Sequence, residues 1–379
     1  MSLGNTQEPK GNGEQDPDLA PPPWKNRIVI GVVGSSVWSR LLAVVLALII
    51  AIPVLRVAGA DPLNAYLDML RGTFGSIRGF GDVLARADTF ILLGLGIAVC
   101  VRAGFFNIGA EGQLWLGALG ATIVALYVDG PPGLIIPLAL SAGFIFGAVW
   151  SGLVAALKIT LGVDELISSL MLNYVAILLI AFLTFGPMKA YRAGQTERIP
   201  DDVFLPTLIP GTRLHVGFLI AVAAVIIVWI IFNRTTFGFE IRSAGGNPQA
   251  ARFVGIRVNR VFMRVSLLGG GFCGLAGANV ILGAQHVLLA TMSPGWGYTS
   301  IAVVLLGGLT PLGILLSAIL FGVLEIGATT MQYASGVPAA VGGFIEGLIL
   351  IIFLMAIPVT LRSKKISSLL RLRRGGVDK

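Results

Sequence analysis

Residues 89–127 read TFILLGLGIAVCVRAGFFNIGAEGQLWLGALGATIVALY and contain the pattern that decides the fold. Two apolar runs, Thr89–Val101 and Leu114–Tyr127, flank a glycine-containing polar segment. Each run is shorter than the roughly 20 apolar residues that a regular helix needs to cross a bilayer. Irregular backbone is tolerated at membrane depth only where it is buried in protein or lines a cavity. The stretch therefore predicts two membrane helices that are tilted, broken or extended into the polar segment between them.

The composition of the whole chain agrees with a membrane protein. Of its 379 residues, 55% are hydrophobic and 12% are charged, and the mean hydropathy is +0.88. Soluble domains have about 25% charged residues, so this chain cannot cover a water-facing surface. A soluble enzyme, a disordered protein and a nucleic-acid binder are excluded despite the net charge of +8. The two cysteines and two histidines show no metal-binding spacing, and no nucleotide-binding loop sequence occurs, so we expect no catalytic or metal site and no bound cofactor.

Ten apolar runs predict an all-α, polytopic membrane domain of about ten transmembrane helices over residues 37–360. We expect residues 1–36 to form a disordered cytoplasmic tail and lead-in, because 1–24 are polar and rich in proline, and residues 361–379 to form a basic cytoplasmic tail. The ten runs are Leu41–Val57, Thr89–Val101, Leu114–Tyr127, Leu134–Leu157, Ile167–Phe185, Val216–Phe232, Val265–Leu282, Tyr298–Leu306, Leu312–Met331 and Val341–Ile357.

Basic residues predict the orientation of these runs. Residues 233–264 contain six arginines against the single acid Glu240, and residues 361–379 are also strongly basic. Cytoplasmic loops carry an excess of Lys and Arg, so both segments are predicted to be cytoplasmic. Four runs separate them, which is the even number that this placement requires, and six runs precede the first, so the N-terminus is predicted to be cytoplasmic too. The segments 58–88 and 186–213 are then predicted to be outward-facing loops.

An offset of 174 positions relates the two halves of the chain, 41–185 and 215–359. It places four runs of the first half on runs of the second, and it places Gly162-Val163 on Gly336-Val337. Each half has five runs, an odd number, so the halves are predicted to have inverted topology. Inverted repeats with broken helices are typical of transporters, whose pathway lies at the repeat interface.

Two glycine-rich breaks are the candidate substrate pathway. The first break, residues 102–113, contains Asn107, Glu111 and Gln113, which would be costly against lipid. Either Glu111 meets a substrate hydroxyl or amine, or it pairs with Arg102 and the cluster only ties two helices together.

The second break, residues 283–298, contains Gln285, His286 and Trp296. Trp296 and Tyr298 are either interfacial aromatic residues or a stacking platform for a ring. Glu325 and Glu346 interrupt later apolar runs. They are expected to face the bundle interior, where a packing role competes with a role in substrate binding or proton transfer.

The cytoplasmic segment 233–264, named the coupling segment below, predicts two short helical pieces. Asn247 followed by Pro248 is suited to cap and begin the second piece, and Gly255 is suited to end it. Small residues on this piece, Ala250 and Ala251, would allow close packing of a partner. A helix lying on the lipid surface is the alternative.

The coupling segment also resembles a known family. Its pattern is similar to the coupling loop of ATP-binding cassette (ABC) importer permeases of the ribose and branched-chain amino-acid type. Residues 106–113, Phe-Asn-Ile-Gly-Ala-Glu-Gly-Gln, and residues 164–174 resemble the subgroup of nucleoside and simple-sugar permeases; Asp164 and Leu166 are mild departures. The matching positions of the coupling loop are Glu240, Arg242, Gly245, Asn247, Ala250, Ala251 and Gly255.

The resemblance implies a permease subunit in a bacterial cell membrane that forms the path for nucleosides or related ribosides. It implies three partners: a separate ATP-binding subunit with two fused domains, a second related permease and an extracytoplasmic substrate-binding lipoprotein. Simple sugars and riboflavin remain alternative substrates, and an ion-coupled secondary transporter remains the alternative class. Such a carrier would not need the element 245–256.

Overall fold

The computed structural model describes residues 37–338 and 340–355. The predicted tails, 1–36 and 361–379, and the end of the last apolar run lie outside these residues. The described helices, numbered in chain order, are α1 Val37–Val57, α2 Pro62–Phe74, α3 Ile77–Arg102, α4 Ala110–Tyr127, α5 Pro132–Leu161, α6 Glu165–Phe185, α7 Gly217–Arg234, α8 Thr236–Gly246, α9 Pro248–Phe253, α10 Val258–Val280, α11 Trp296–Leu306, α12 Pro311–Ser335 and α13 Ala340–Met355. A π-helical turn, Ile281–Gln285, continues α10.

The prediction of an all-α polytopic membrane protein is confirmed. A helix coincides with each of the ten apolar runs. Six helices among the described residues are long and apolar enough to cross a membrane: α3, α5, α6, α7, α10 with its π turn, and α12. Helices α1 and α2 form a pair bent by 114°, and α11 and α13 are shorter apolar helices. The number of ten crossings stays a prediction.

The segment 58–88 differs from its description as a loop. It contains all of α2 and the first three turns of α3. Ser76 begins α3, because its Oγ accepts a hydrogen bond from the N–H of Gly79 at 3.0 Å and so satisfies an otherwise unpaired donor of the first turn. The charged residues of this turn region lowered the local hydropathy, so the apolar run began only at Thr89. The second run is therefore lengthened at its N-terminal end and not into the first break.

Helices α3 and α10 form the centre of the bundle. About 83% of the apolar window of each is buried, against 28% for α5 and for α6. The two helices meet at glycines: a Cβ on Gly96 would overlap the carbonyl oxygen of Gly269 and the sulfur of Cys273. In return, a Cβ on Gly269 would overlap the carbonyl oxygen of Gly96 and the sulfur of Cys100. The contact is reciprocal, and the two glycines are 173 positions apart, one fewer than the offset found in the sequence.

The contacts of two cysteine side chains show the relative direction of α3 and α10. Cys100, near the end of α3, has its Sγ 3.3 Å from the carbonyl oxygen of Val265, near the start of α10. Cys273, further along α10, has its Sγ 3.8 Å from the carbonyl oxygen of Leu93, earlier in α3. Later residues of one helix meet earlier residues of the other, so α3 and α10 run antiparallel.

The ends of α5 and α12 are alike. Helix α5 ends at Gly162 with φ 68°, and α12 ends at Gly336 with φ 67°. Both glycines have the left-handed conformation that commonly ends helices and that favours glycine. The two positions are related by the 174-residue offset found in the sequence.

Candidate functional site

The first break is held by hydrogen bonds within the protein. The side chain of Asn107 is buried; its Nδ2 donates to Ser151 Oγ at 3.0 Å, and its Oδ1 accepts from the N–H of Gly109 at 2.7 Å. Asn173 of α6 closes the other side, since its Oδ1 accepts from the N–H of Gly112 at 2.8 Å and its Nδ2 donates to the carbonyl of Ile108 at 3.0 Å. These bonds satisfy backbone groups that irregular structure leaves unpaired.

Glu111 has protein partners on both of its carboxylate oxygens. Oε1 accepts from Trp115 Nε1 at 3.0 Å, and Oε2 accepts from the N–H of Gly297 at 2.7 Å. The second bond caps the N-terminus of α11, where a negative charge is favourable. Glu111 is therefore paired within the protein, as in the structural alternative, but its partners are Trp115 and Gly297 and not Arg102.

Polar side chains from three further helices hold the first turn of α11. Trp296 Nε1 donates to Glu325 Oε1 at 3.0 Å, and Thr299 Oγ1 lies 3.4 Å from Glu346 Oε2. The hydroxyl oxygen of Tyr298 accepts from Asn173 at 3.1 Å. Both membrane-embedded glutamates thus face the bundle interior and bind the start of one short helix.

Two other residues of the first break differ from Glu111, because Gln113 has an unpaired side-chain nitrogen and Asn107 lines a cavity. Gln113 is buried, and its Nε2 has no hydrogen-bond partner among the described residues. Asn107 lines a cavity of about 270 Å³ whose other walls are apolar residues of α3, α6, α11, α13 and the break itself. The three residues predicted from the first break therefore stay a proposal as pathway residues.

A separate polar cavity lies at the second break. It has a volume of about 160 Å³. Gln285 and Trp296, two of the predicted site residues, line it together with residues from α3 and from the chain before α7. The residues that carry its chemistry are Asp82, Arg86, Asp88, His215, Gln285 and Trp296; this set is called the polar cavity below.

Arg86 organises one wall of the polar cavity. Its guanidinium lies 4.0 Å from the centroid of the Trp296 ring, a cation–π distance. Its Nε is 3.3 Å from Glu325 Oε2. Because Glu325 also accepts from the indole of Trp296, the three side chains hold each other in a fixed arrangement.

His215 and Asp88 form the deepest part of the cavity, each with a side chain only 1% exposed, and His215 Nε2 lies 3.5 Å from Asp88 Oδ2. His215 Nδ1 accepts from the N–H of Gly217 at 3.1 Å, so Nδ1 carries no proton and the proton of the neutral ring is on Nε2. Burial lowers the pKa of His215 to about 4, which agrees with a neutral imidazole facing the carboxyl group.

Residues 196–205 cover the second break through backbone hydrogen bonds. The N–H of Thr196 donates to the carbonyl of Leu288 at 3.1 Å, and the N–H of Ile199 donates to that of His286 at 3.0 Å. His286 does not line the polar cavity; its ring stacks on Phe204 with centroids 3.6 Å apart. Of the three residues predicted from the second break, the structure brings together Gln285 and Trp296 and places His286 under this cover.

Sequence reasoning missed Asp82, Arg86, Asp88 and His215. The first three were assigned to a loop, and His215 precedes the sixth apolar run by one residue. A signal was present: Ser76 is a good helix-capping residue, and Asp82 and Arg86 are four positions apart, on one face of a helix that would continue into the apolar run.

The coupling segment has the predicted local geometry. Asn247 Oδ1 accepts from the N–H groups of Gln249 and Ala250 at 3.0 and 3.1 Å, Pro248 begins α9, and Gly255 follows it with φ 85°. The contact of Ala251 with a partner stays a prediction. Ala251 is only 3% exposed, because it faces the interior of this chain and not solvent.

The exposed side of α9 consists of different residues. Ala250 and Arg252 are exposed, and Phe253 and Val254 are 92% and 72% exposed. A fully exposed aromatic residue at the end of a short helix is the kind of side chain that anchors interfaces. Phe253 is therefore a further candidate contact residue of the coupling segment.

The other side of the coupling segment packs on the first break. A Cβ at Gly245 would overlap the carbonyl oxygen of Arg102, so α8 approaches the end of α3 closely. Arg242 donates to the carbonyl of Phe232, and Arg102 lies 4.3 Å from the centroid of the Phe232 ring. Glu240 is 3.8 Å from Arg264 at the start of α10. Helix α8 of the coupling segment thus contacts α3, α7 and α10 at one place.

Comparison with known proteins adds the family. Residues 79–354 match the model of the branched-chain amino acid transport system / permease component family. The chain is 38% identical to the glucose ABC transporter permease protein TsgB13 of Haloferax volcanii over 82% of this chain and 85% of that protein. It is 34% identical to the guanosine ABC transporter permease protein NupP of Bacillus subtilis over 82% and 91%.

A third relative is the nucleoside ABC transporter permease protein NupB of Lactococcus lactis, 33% identical over 79% of this chain and 85% of that protein. No solved structure matches the chain. The membrane fold, the match over 79–354 and these relatives agree with the resemblance found in residues 106–113, 164–174 and 240–256. The chain belongs to the branched-chain amino acid transport system / permease component family and is a multi-pass permease subunit of an ABC importer, not an enzyme.

Proposed function

We propose that this permease carries nucleosides or related ribosides. The carrying observation is that two of the relatives above, from Bacillus subtilis and Lactococcus lactis, transport guanosine and nucleosides and match most of the chain at 34% and 33% identity. Simple sugars are the second candidate, favoured by the 38% identity to a glucose permease. Both classes present a polyhydroxylated ring.

Uptake in cells that express the complete importer and lack other nucleoside uptake tests this proposal. We expect labelled guanosine to enter, and unlabelled adenosine and uridine to compete more strongly than glucose. Competition by glucose alone would favour the second candidate. Uptake of neither class would contradict the proposal. Riboflavin, a riboside-like alternative, belongs in the same panel of competitors.

The coupling segment is proposed as the docking site for the ATP-binding subunit that permeases of this family require. Its support is the exposed Phe253 on one side and the close contact of Gly245 with Arg102 on the other. Helix α3 has 26 residues and is about 39 Å long at 1.5 Å per residue. It connects this contact with Asp82, Arg86 and Asp88, and so offers a rigid route from the ATPase to the polar cavity.

The remaining partners and the topology are part of the same proposal. An ATP-binding protein with two fused domains, a second related permease and a substrate-binding lipoprotein complete the importer in a bacterial inner membrane, with both termini cytoplasmic. A cysteine at Ser243 should then resist an impermeant thiol reagent applied outside sealed cells. A cysteine at the fully exposed Tyr191 should react rapidly, and reversed labelling would contradict this orientation.

Inverted topology of the two halves has structural support. Gly96 and Gly269 are related by the repeat to within one position, and their reciprocal contact between antiparallel helices fits a two-fold axis perpendicular to both helices, in the membrane plane. The alike ends of α5 and α12 at Gly162 and Gly336 agree with it. An experimental structure that superposes the halves only as a parallel repeat would refute it.

A further inference from the structure

The polar cavity contains buried polar atoms that lack hydrogen-bond partners among the described residues. They are Asp82 Oδ1, Asp88 Oδ2, Gln285 Oε1 and Arg86 Nε. Asp88 and Arg86 have charged or polar neighbours, His215 at 3.5 Å and Glu325 at 3.3 Å, but without hydrogen-bonding geometry to these atoms. Buried polar groups are nearly always paired. These atoms around one space, above all Asp82 Oδ1 and Gln285 Oε1, for which no ion pair compensates among the described residues, indicate that a bound group supplies the missing bonds.

The set of unpaired atoms restricts the chemistry of that group. Three of them are acceptor oxygens and one is a donor. A hydroxyl group can donate to a carboxylate or amide oxygen and accept from a guanidinium at the same time. Arg213 also lines the cavity, so two arginines, Arg86 and Arg213, nearly balance the three carboxyl groups of Asp82, Asp88 and Glu325. A neutral ligand rich in hydroxyls is therefore favoured over a multiply charged one.

The shape of the cavity adds a second restriction. Ligand pockets generally have volumes of roughly 300–1,000 Å³, whereas this cavity has about 160 Å³. It accommodates one small ring and not a complete nucleoside. Trp296 lines one wall and is held in place by Glu325 and Arg86. Its indole offers an apolar edge to the C–H groups of a ring whose hydroxyls point to the polar atoms.

We propose that the polar cavity binds the hydroxyl groups of the sugar ring of the transported molecule while the nucleobase stays outside it. This inference rests on the proposed function and deepens it. Ribose of a nucleoside and a simple hexose share these hydroxyl groups, so one site serves either class. The permease then selects for ring hydroxyls and contributes little selectivity for the base.

The test compares uptake of guanosine with 2′-deoxyguanosine by the complete importer, in the wild type and in Asp82→Asn and Gln285→Met. Asp82→Asn keeps the shape of the side chain and removes the charge, and Gln285→Met removes the amide. Each should reduce the preference for guanosine about threefold to tenfold, the expected loss of one hydrogen bond. The substrate-binding protein is unchanged in all cells, so a changed preference originates in the permease.

The control variant is Asp202→Asn, an exposed acid in the cover outside the cavity, whose preference should equal that of the wild type. Permease levels in the membrane are measured in parallel, and Gln285→Met decides if Asp82→Asn does not insert. Equal slowing of both substrates with an unchanged preference would overturn this inference alone. So would a dependence of wild-type uptake on Na⁺ that Asp82→Asn abolishes, which would indicate a cation site. Wild-type cells that import neither nucleosides nor sugars would overturn the proposed function itself.

Discussion

The two glycine-rich breaks share a short motif, Ile108-Gly109-Ala110-Glu111 in the first and Leu282-Gly283-Ala284-Gln285 at the second, but their polar side chains differ in hydrogen bonding. In the first break, the side-chain oxygens of Glu111 and Asn107 accept hydrogen bonds from protein donors. The side chain of Asn173 bonds two backbone groups of the same break. In the second, Gln285 joins buried atoms without partners around an open cavity. Each break also has an exception: Gln113 Nε2 in the first has no partner among the described residues, and Gln285 Nε2 in the second donates to the carbonyl of Met292 at 3.1 Å. Polar atoms in a membrane helix break thus have two uses: a paired atom supports the fold, whereas an unpaired atom is available to a substrate.

The largest effect is expected from removing the carboxylate of Glu111 in the first break. Glu111→Ala leaves the buried donors Trp115 Nε1 and Gly297 N–H without an acceptor, at a cost of about 2–4 kcal/mol. Thermal unfolding in detergent should occur at a clearly lower temperature, and less permease should accumulate in membranes. Glu111→Gln keeps one acceptor oxygen and should lie between this variant and the wild type. Normal stability with abolished uptake would instead identify Glu111 as a substrate contact.

The next largest effect concerns the contact of the coupling segment with the first break. Gly245→Ala places a methyl group against the carbonyl oxygen of Arg102 and should cost about 1–3 kcal/mol as an overpacked site. Substrate uptake should fall more than the membrane level does. Gly246→Ala is the matched control, because a Cβ there meets nothing within 4 Å. Equal behaviour of the two variants would contradict a role of this contact in transmission.

A smaller effect is expected on the exposed side of the same segment. Phe253→Ala removes a solvent-exposed anchor, so the affinity for the ATP-binding subunit should fall by about 1–2 kcal/mol, or roughly fivefold to thirtyfold. The stability of the isolated permease should not change. Co-purification of the ATPase measures this effect. Tyr191→Ala, at another fully exposed aromatic residue, should leave it intact, and loss in both variants would point to a general defect.

The smallest energetic cost among these variants is expected in the second break, and it is a modest loss of stability. Gln285→Met removes an oxygen without a partner among the described residues and one hydrogen bond, from Gln285 Nε2 to the carbonyl of Met292 at 3.1 Å. The free energy of unfolding should therefore fall by about 0.5–1.5 kcal/mol. Uptake should nevertheless fall severalfold. This result, beside that of Glu111→Ala, would separate the substrate-facing break from the supporting one. A large loss of stability in Gln285→Met would place both breaks in the same role.

Much of this architecture could be predicted from the sequence, because apolar runs and local capping are short-range signals. The ten helices and the cap at Asn247 are of this kind. Partners distant in sequence could not be predicted: Glu111 meets Gly297, and Arg86 meets Glu325, through packing that only the folded bundle creates. The direction in which Ala251 faces depends on how α9 lies on the chain, which its composition does not determine.

Only two of the six residues that define the polar cavity were predicted, for the same reason. Gln285 and Trp296 stand out because they interrupt an apolar region. Asp82, Arg86 and Asp88 lie in a polar stretch where charge is unremarkable until the helix that carries it is known to enter the bundle. A capping residue at Ser76 was the available clue.

Labelling of a cysteine in the polar cavity tests the central claim most directly. Cys100 and Cys273 are buried, so a cysteine introduced at Gln285 can be followed against a low background in the complete importer. We predict that an impermeant thiol reagent reacts with it from outside sealed cells, and that guanosine slows the reaction more than 2′-deoxyguanosine or the free base guanine does. A labelling rate that no riboside changes, or labelling only from the cytoplasmic side, would contradict the assignment of this cavity to the substrate.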